Sequence, residues 1–419
     1  MLGHNQVIEV LEGMEVLMKN LMTFCVLFLF VFSVSTAGAA DSFSEAMTSG
    51  SAHVIFRYRL ENVDQDKMSK DATASTLKTR INFKSDSFNG FSVFAEMDDV
   101  SNIGDDDFNS LANGKAGQYP VIADPDGTNL NQFYFDYKTD NVLFRLGRQR
   151  ILLDNQRYVG GVGWRQNEQT YDAAKFVLTG LANNVITYAY IDNVSRIFGP
   201  DNSSVQATDW DSSIQLLNWK YKSDGFGSLV GYGYFLDIED SPANSSATVG
   251  LRYQNAFKLD GGWSIPLALE YADQSDYKDN TANYSAGYFL ASIGVKTPAV
   301  TVSINHEVLE ADSGGVFRTP LATLHAHQGW NDKFLGTPAG GVEDTFLKIG
   351  GKVAGTKVTF VYHDYSAESG GGDYGSEIDL AIGKKINDHW SILFKYSAYD
   401  SDGHSVDTDK AWFMVTAKF

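Results

Sequence analysis

The sequence predicts an all-β protein: a transmembrane up-and-down antiparallel β-barrel of about eighteen strands, with short periplasmic turns and long extracellular loops. Three observations carry this expectation. The chain ends T-D-K-A-W-F-M-V-T-A-K-F, with Ala411, Phe413, Val415, Ala417 and Phe419 on one strand face and Trp412, Met414, Thr416 and Lys418 on the other. Segments of the same period recur along the chain, joined by connections that are long and short in strict turn. Within those segments the charged residues keep to one face.

The N-terminal part reads as an export signal. Leu21 to Val34 is an apolar run of about fourteen residues, short of the roughly twenty that a membrane helix needs, and Ala37 and Ala39 suit an A-x-A cleavage site. Residues 1–39 are therefore expected to be a signal peptide. Glu9, Glu12 and Glu15 are unusual ahead of such a run, whereas Met18-Lys19-Asn20 begins an ordinary signal, so translation is expected to start at Met18. Cleavage removes Cys25, the only cysteine, leaving sheet closure rather than disulfides to stabilise the chain. Residues 40–50 are expected as a short periplasmic segment and 51–419 as a single barrel domain. That leaves no room for an N-terminal plug of the kind energised uptake uses.

Tight turns are expected at Ser85 to Gly90, Thr139 to Asn141, Leu181 to Asn184, Ser223 to Gly227, Asp260 to Gly262, Lys296 to Val300, Ala354 to Thr356 and Ile386 to His389. Long connections fall near 63–72, 101–129, 153–169, 193–212, 238–246, 275–283, 311–342, 366–375 and 400–408. An even strand count places both termini in the periplasm. A water-soluble β-sandwich also alternates, but it has no reason to sort its loops by length.

The faces fit lipid outside and water inside. In the first strand Val54, Phe56, Tyr58 and Leu60 oppose Ile55, Arg57, Arg59 and Glu61; in the second Leu77, Thr79, Ile81 and Phe83 oppose Lys78, Arg80, Asn82 and Lys84. Arg or Lys at the lipid-facing midplane costs about 2–4 kcal/mol, so the charged face is expected to line the lumen. Tyr188, Tyr190, Tyr232, Tyr234, Trp390 and Trp412, near strand ends, suit aromatic girdles at the membrane surfaces.

The fifth strand carries a conflict. Val142, Phe144 and Leu146 set its outer face, and simple alternation would then carry Arg148 and Arg150 into lipid. A bulge at Gly147 would reverse the faces beyond it, so Arg145, Arg148 and Arg150 are all expected in the lumen. The other reading ends the strand near Arg148 and places both later arginines among lipopolysaccharide phosphates.

The pore-lining candidates are thus Arg57, Arg59, Lys78, Arg80, Lys84, Arg145, Arg148, Arg150 and the loop residue Arg165, and such basic rings favour anionic solutes. Glu96 and Asp98 are expected as an opposing acidic wall. With Glu61, Asp136 and Glu270 in the same lumen, much of the positive charge is expected to be paired. The net charge of −19 comes mostly from loops such as Asp98 to Asp107, which read as solvated tips or divalent-cation bridges to lipopolysaccharide. No nucleic-acid partner, metal or cofactor is expected.

Two loops are expected to govern access. Residues 155–169 combine Gly160, Gly161 and Gly163 with Trp164, Arg165, Gln166, Asn167 and Glu168, suited to folding inward as a constriction. In the 312–342 loop, Thr319 as N-cap and Pro320 at the first helical position predict a short helix bearing Leu321 and Leu324, backed by Trp330, Phe334 and Leu335. That loop is either a lid or plug, or a self-packed surface loop.

Enzymatic chemistry finds little support. His306-Glu307 and His363-Asp364 are neighbours along strands, so their side chains diverge and form no sequential dyad. The chain lacks G-x-S-x-G and H-E-x-x-H, His325-Ala-His327 is a poor metal signal, and Gly350 to Lys357 lacks the end of a phosphate loop.

The stretch Arg145 to Ile151 running into Asp154 to Thr170, with Thr319 to Leu335, resembles the alginate export family of outer-membrane porins. The resemblance implies a monomeric eighteen-stranded barrel with an arginine-lined lumen that passes a polyanionic polysaccharide, and assembly by the barrel machinery through the terminal Phe419. The resulting expectation is a passive outer-membrane porin, not an enzyme, for anionic, saccharide-like solutes, embedded in outer-membrane lipid and lipopolysaccharide. A general porin for small nutrients is the alternative, and a barrel phospholipase a distant third.

Overall fold

A computed structural model describes residues 40–199 and 206–419; the expected signal peptide lies outside the described residues. An antiparallel sheet of eighteen strands closes on itself, because the first strand (Ser51–Gln65) pairs both with the second (Ala72–Lys84) and with the last (Thr408–Lys418). Closure leaves no backbone edge to lipid, which is the condition for crossing a bilayer with strands. The expected turns all fall between paired strands, as at 85–90, 139–141 and 354–355. At this periplasmic end a short helix, Phe43–Thr48, is capped by the Ser42 hydroxyl and accepts the Asp86 amide at the Ala46 carbonyl, 2.9 Å. Phe419 pairs backbone to backbone with Val54.

The side chains sort as lipid and water demand. Ile81, Phe135, Leu251, Ile293, Ile304, Phe394 and Phe413 are exposed on the outside, while their strand neighbours Arg80, Asp136, Arg252 and Lys395 point inward. Outward carboxylates such as Asp273, Asp364 and Asp409 lie within a few residues of the extracellular strand ends, where charge costs little.

Three expectations change. Tyr232 and Tyr234 are not girdle residues: Gly231 and Gly233 take the lipid face beneath Trp219 and Phe235, so period two drives both tyrosines into the lumen. Trp412 is likewise buried inside. No bulge lies at Gly147, where the fourth (Gly127–Lys138) and fifth (Val142–Gln149) strands stay in register. The extra residue is Asn131 in the fourth strand, opposite Glu96 and Met97 of the third (Phe91–Asp107). Finally, no helix starts at Pro320. Leu321 is extended in a parallel bridge with Val159, a single 3-10 turn follows at Leu324–Ala326, and Leu335 is exposed.

Both loops fold into the barrel. Gly160 donates its amide to the Leu321 carbonyl (2.8 Å) and Thr323 to that of Gln156 (3.0 Å), so the loops run beside each other across the lumen. Tyr158 anchors them to the far wall at Tyr232, Tyr234 and Tyr288, packing also on Phe317 of the second loop, and Arg157 pairs with Glu307 at 3.0 Å.

Candidate functional site

The first two strands set Arg57 directly opposite Lys78 on the inner face. Like charges so placed repel, and the third strand supplies the counter-charge by bringing Asp98 opposite Arg80 and Glu96 one pair away. Arg80 makes a bidentate pair with Asp98 (2.6 and 2.5 Å), and Lys78 stands 3.8 Å from the same carboxylate. Asn131 and Gln132, brought to one side by the bulge, both donate to Glu96 Oε1 at 2.9 and 3.0 Å. Glu96 and Asp98 therefore do not oppose the basic residues, as expected of them, but interleave with them on the same wall.

The inward loops add their own carboxylates. Glu168 meets Arg80 Nη2 at 2.7 Å, Lys78 Nζ at 3.4 Å and Arg150. Burial opposes its charge, yet Lys78, Arg80 and Arg150 hold it well below the usual carboxylate range. Asp124, from the 108–126 loop, accepts from Arg59 (3.1 Å) and from the Gln166 amide (2.7 Å). Arg165 reaches Glu61 (3.4 Å) and Asp332 (3.0 Å), and Lys410 joins Asp332 at 3.2 Å. Arg57 is held by neutral acceptors, Gln166 Oε1 (2.8 Å) and the carbonyls of Gly163 (2.9 Å) and Arg165.

Lys395, inward on the strand Trp390–Ser401, places its ammonium 3.7 Å from the Trp330 ring centre, 4.0 Å from Trp164 and 5.2 Å from Trp412. His325 stacks on Trp164 (4.6 Å, 4°). Its pKa falls to about 3, chiefly through burial and then through Lys395.

The loop segment 325–332 forms a septum. Above it, His325, Asn331 and Asp332 floor an extracellular chamber of about 970 Å³ that also shows Arg165, Lys333 and Lys410. Below it, His327 and Trp330 roof a periplasmic chamber of about 1300 Å³ walled by Arg252, Lys348 and His363.

The structure thus brings together Arg57, Arg59, Lys78, Arg80, Arg150 and Arg165 with Glu96 and Asp98. Arg145 also points inward, but pairs with Asp136 at 2.6 Å apart from this cluster. Two candidates fall elsewhere. Lys84 is exposed at the periplasmic rim. Arg148 lies on the outer face, opposite Phe133 and Asp172, and binds Asp172 through two bonds of 2.8 and 2.7 Å. Arg150 enters the lumen because its strand ends at Gln149, not because of a reversal at Gly147. Sequence reasoning missed Lys395, His325 and Asp332. Alternation with Ile392, Phe394 and Tyr396 marks Lys395 as inward, whereas the loop pair has no local signal.

The family model described as alginate export matches residues 51–191. No curated protein sequence matches the chain. Among solved structures, OccAB4 of Acinetobacter baumannii is similar with a TM-score of 0.69 at 13% identity, covering 90% of this chain and 100% of its own. OccK9 (OpdG) of Pseudomonas aeruginosa gives 0.70 at 14%, covering 89% and 99%. OccK2 (OpdF) of the same organism, solved in complex with glucuronate, gives 0.67 at 12%, covering 89% and 98%. The chain is a bacterial outer-membrane β-barrel with the porin fold, and its first strands, into the seventh, carry the match to the alginate export family.

Proposed function

We propose that this protein is a passive porin for small anionic solutes of the sugar-acid class. One observation carries the reading: on the wall of the first five strands, Arg57, Arg59, Lys78, Arg80 and Arg150 exceed the wall carboxylates Glu61, Glu96 and Asp98, and the remaining counter-charge comes from loops. With the loop carboxylates Asp124, Glu168 and Asp332 and the further cations Arg165 and Lys410 included, seven cations face six carboxylates, and such an excess of positive charge in a narrow, low-dielectric passage favours anions. The chambers on either side are of the size that takes monosaccharides and short oligosaccharides. The glucuronate in the similar OccK2 structure supports a uronate as the type of solute.

The family match favours a second reading, export of an alginate-type polysaccharide. Passage of a polymer requires the septum to move aside, whereas a small acid needs a narrower opening. A weakly selective nutrient porin is the general alternative. Catalysis forms no part of the proposal. One chain closes the barrel without a partner, and the C-terminal Phe419 and the outer apolar band suit handling by the barrel assembly machinery and residence among lipopolysaccharide. Planar-bilayer recording separates the readings. Block by monomeric uronates supports the small-acid porin, block by long oligouronates alone supports polymer export, and absence of either block with weak selectivity supports the general porin.

A further inference from the structure

We propose that Lys78, Arg80 and Arg150 form a carboxylate-binding site on the barrel wall, that the loop residue Glu168 is its resident ligand, and that the carboxylate of a permeating sugar acid takes Glu168's place. The proposal rests on the porin reading and specifies where in the lumen the solute's charge is recognised.

The wall trio is presented by the second strand and the end of the fifth, both fixed by pairing on either side. Two wall carboxylates, Glu96 and Asp98, already serve Arg80 and Arg150, which leaves one cation's charge over. Glu168 supplies the missing anion from outside the wall, with Oε1 on Arg80 (2.7 Å) and Lys78 (3.4 Å) and Oε2 on Arg150. One oxygen on two cations and the other on a guanidinium is how a free carboxylate would be received. Arg80 and Arg150 are forked donors, suited to planar anions, and Lys78 adds a point charge with a looser contact.

Glu168 is placed to leave. It stands two residues before the sixth strand, Thr170–Leu178, at the end of a segment containing Gly160, Gly161 and Gly163. Arg150's side chain retains 25% of its surface, so the site opens to water on one side. A structural ion pair would be expected between two wall residues; here one partner belongs to the loop that blocks the passage. Displacement by solute would free the wall end of that loop, coupling recognition to opening. Removing Glu168 without replacing its charge leaves a buried surplus cation, which strongly favours uptake of another anion.

The test is single-channel recording of the full-length mature protein and its Glu168→Gln variant in a planar bilayer, with chloride and with sodium galacturonate as probes. Heat-modifiable gel migration verifies the folded barrel. The chloride-to-potassium permeability ratio is expected to rise about threefold in the variant, and galacturonate blockades to lengthen about tenfold because the amide no longer competes. Lys78→Met, which keeps Glu168 on the two arginines, is expected to shorten galacturonate blockades. Unchanged selectivity and blockade times in both variants, with chloride still conducted, would overturn this site and leave the porin reading intact. If wild-type protein conducts neither chloride nor galacturonate, the porin reading itself falls.

Discussion

Lys395 Nζ donates a hydrogen bond to Nε2 of His325 at 2.7 Å. This fixes the imidazole as neutral with its proton on Nδ1, which donates to Asp332 Oδ1 at 2.8 Å. Asp332 in turn accepts from Arg165 and Lys410. One line of contacts therefore ties a wall strand, the septum and the other inward loop together. Glu377 adds a second tie, accepting the backbone amides of Trp330 and Asn331, the latter at 2.9 Å.

Lys395→Met is expected to loosen the septum while leaving the barrel closed. The thioether keeps part of the packing among Trp164, Trp330 and Trp412 but leaves His325 Nε2 an unsatisfied acceptor, a cost of about 1–3 kcal/mol. Single-channel traces should show higher, noisier conductance, with heat-modifiable migration unchanged. A trace like that of wild type would mean the cage does not hold the septum.

Septum docking should weaken in acid. A released His325 has an ordinary pKa of 6.5, and docking lowers it to about 3, so the docked state binds fewer protons between those values. The stabilisation is complete above pH 6.5 and is lost as pH falls toward 3. Conductance is expected to climb on acidification beginning near pH 6, and His325→Gln should flatten that first rise. A second rise below pH 4.5 would follow from Glu168, whose depressed pKa gives docking strength that is lost as the carboxylate protonates. A profile flat from pH 7 to 4 would contradict the assignment.

Asp172→Asn removes the charge partner of Arg148 on the outer face. Near the membrane surface an unpaired arginine costs about 0–1 kcal/mol, against 2–4 at the midplane. Urea unfolding in lipid vesicles should thus show at most about 1 kcal/mol of loss. A loss above 2 kcal/mol would place Arg148 deeper in the bilayer than its position next to the strand's extracellular end indicates.

Strand number, turn positions and faces were legible because lipid and water impose a period of two on every spanning segment. Ile81 against Arg80, and Phe56 against Arg57, follow from that rule alone. Register was not legible. The extra residue at Asn131 involves no glycine, and without it the fate of Arg148 was drawn from Gly147 instead. The rings of Tyr232 and Tyr234 suggested a girdle, although Gly231 and Gly233 between them already marked which face was vacant. The basic residues of the cluster were visible strand by strand, but their partners Glu168, Asp124 and Asp332 come from loops far away in sequence, where no periodicity operates.

Gly147 is required for a different reason from the one first expected. Its φ is +121°, and a Cβ there would lie 2.4 Å from the Phe133 carbonyl oxygen, on the backbone of the paired strand. Gly147→Ala should cost about 1–3 kcal/mol and lower the yield of folded barrel. Equal yield and equal urea midpoint would show that the fourth and fifth strands separate there without penalty.

The central claim is that the enclosed passage favours anions although the chain as a whole carries −19. The reversal potential of the purified protein in a planar bilayer under a potassium chloride gradient tests it most directly. A potential of the sign set by chloride is the predicted result, because the cations Arg57, Arg59, Lys78, Arg80, Arg150, Arg165 and Lys410 outnumber by one the carboxylates that meet them in the passage, and acidic runs such as Asp105 to Asp107 are exposed outside it. A potential of the sign set by potassium would contradict the account.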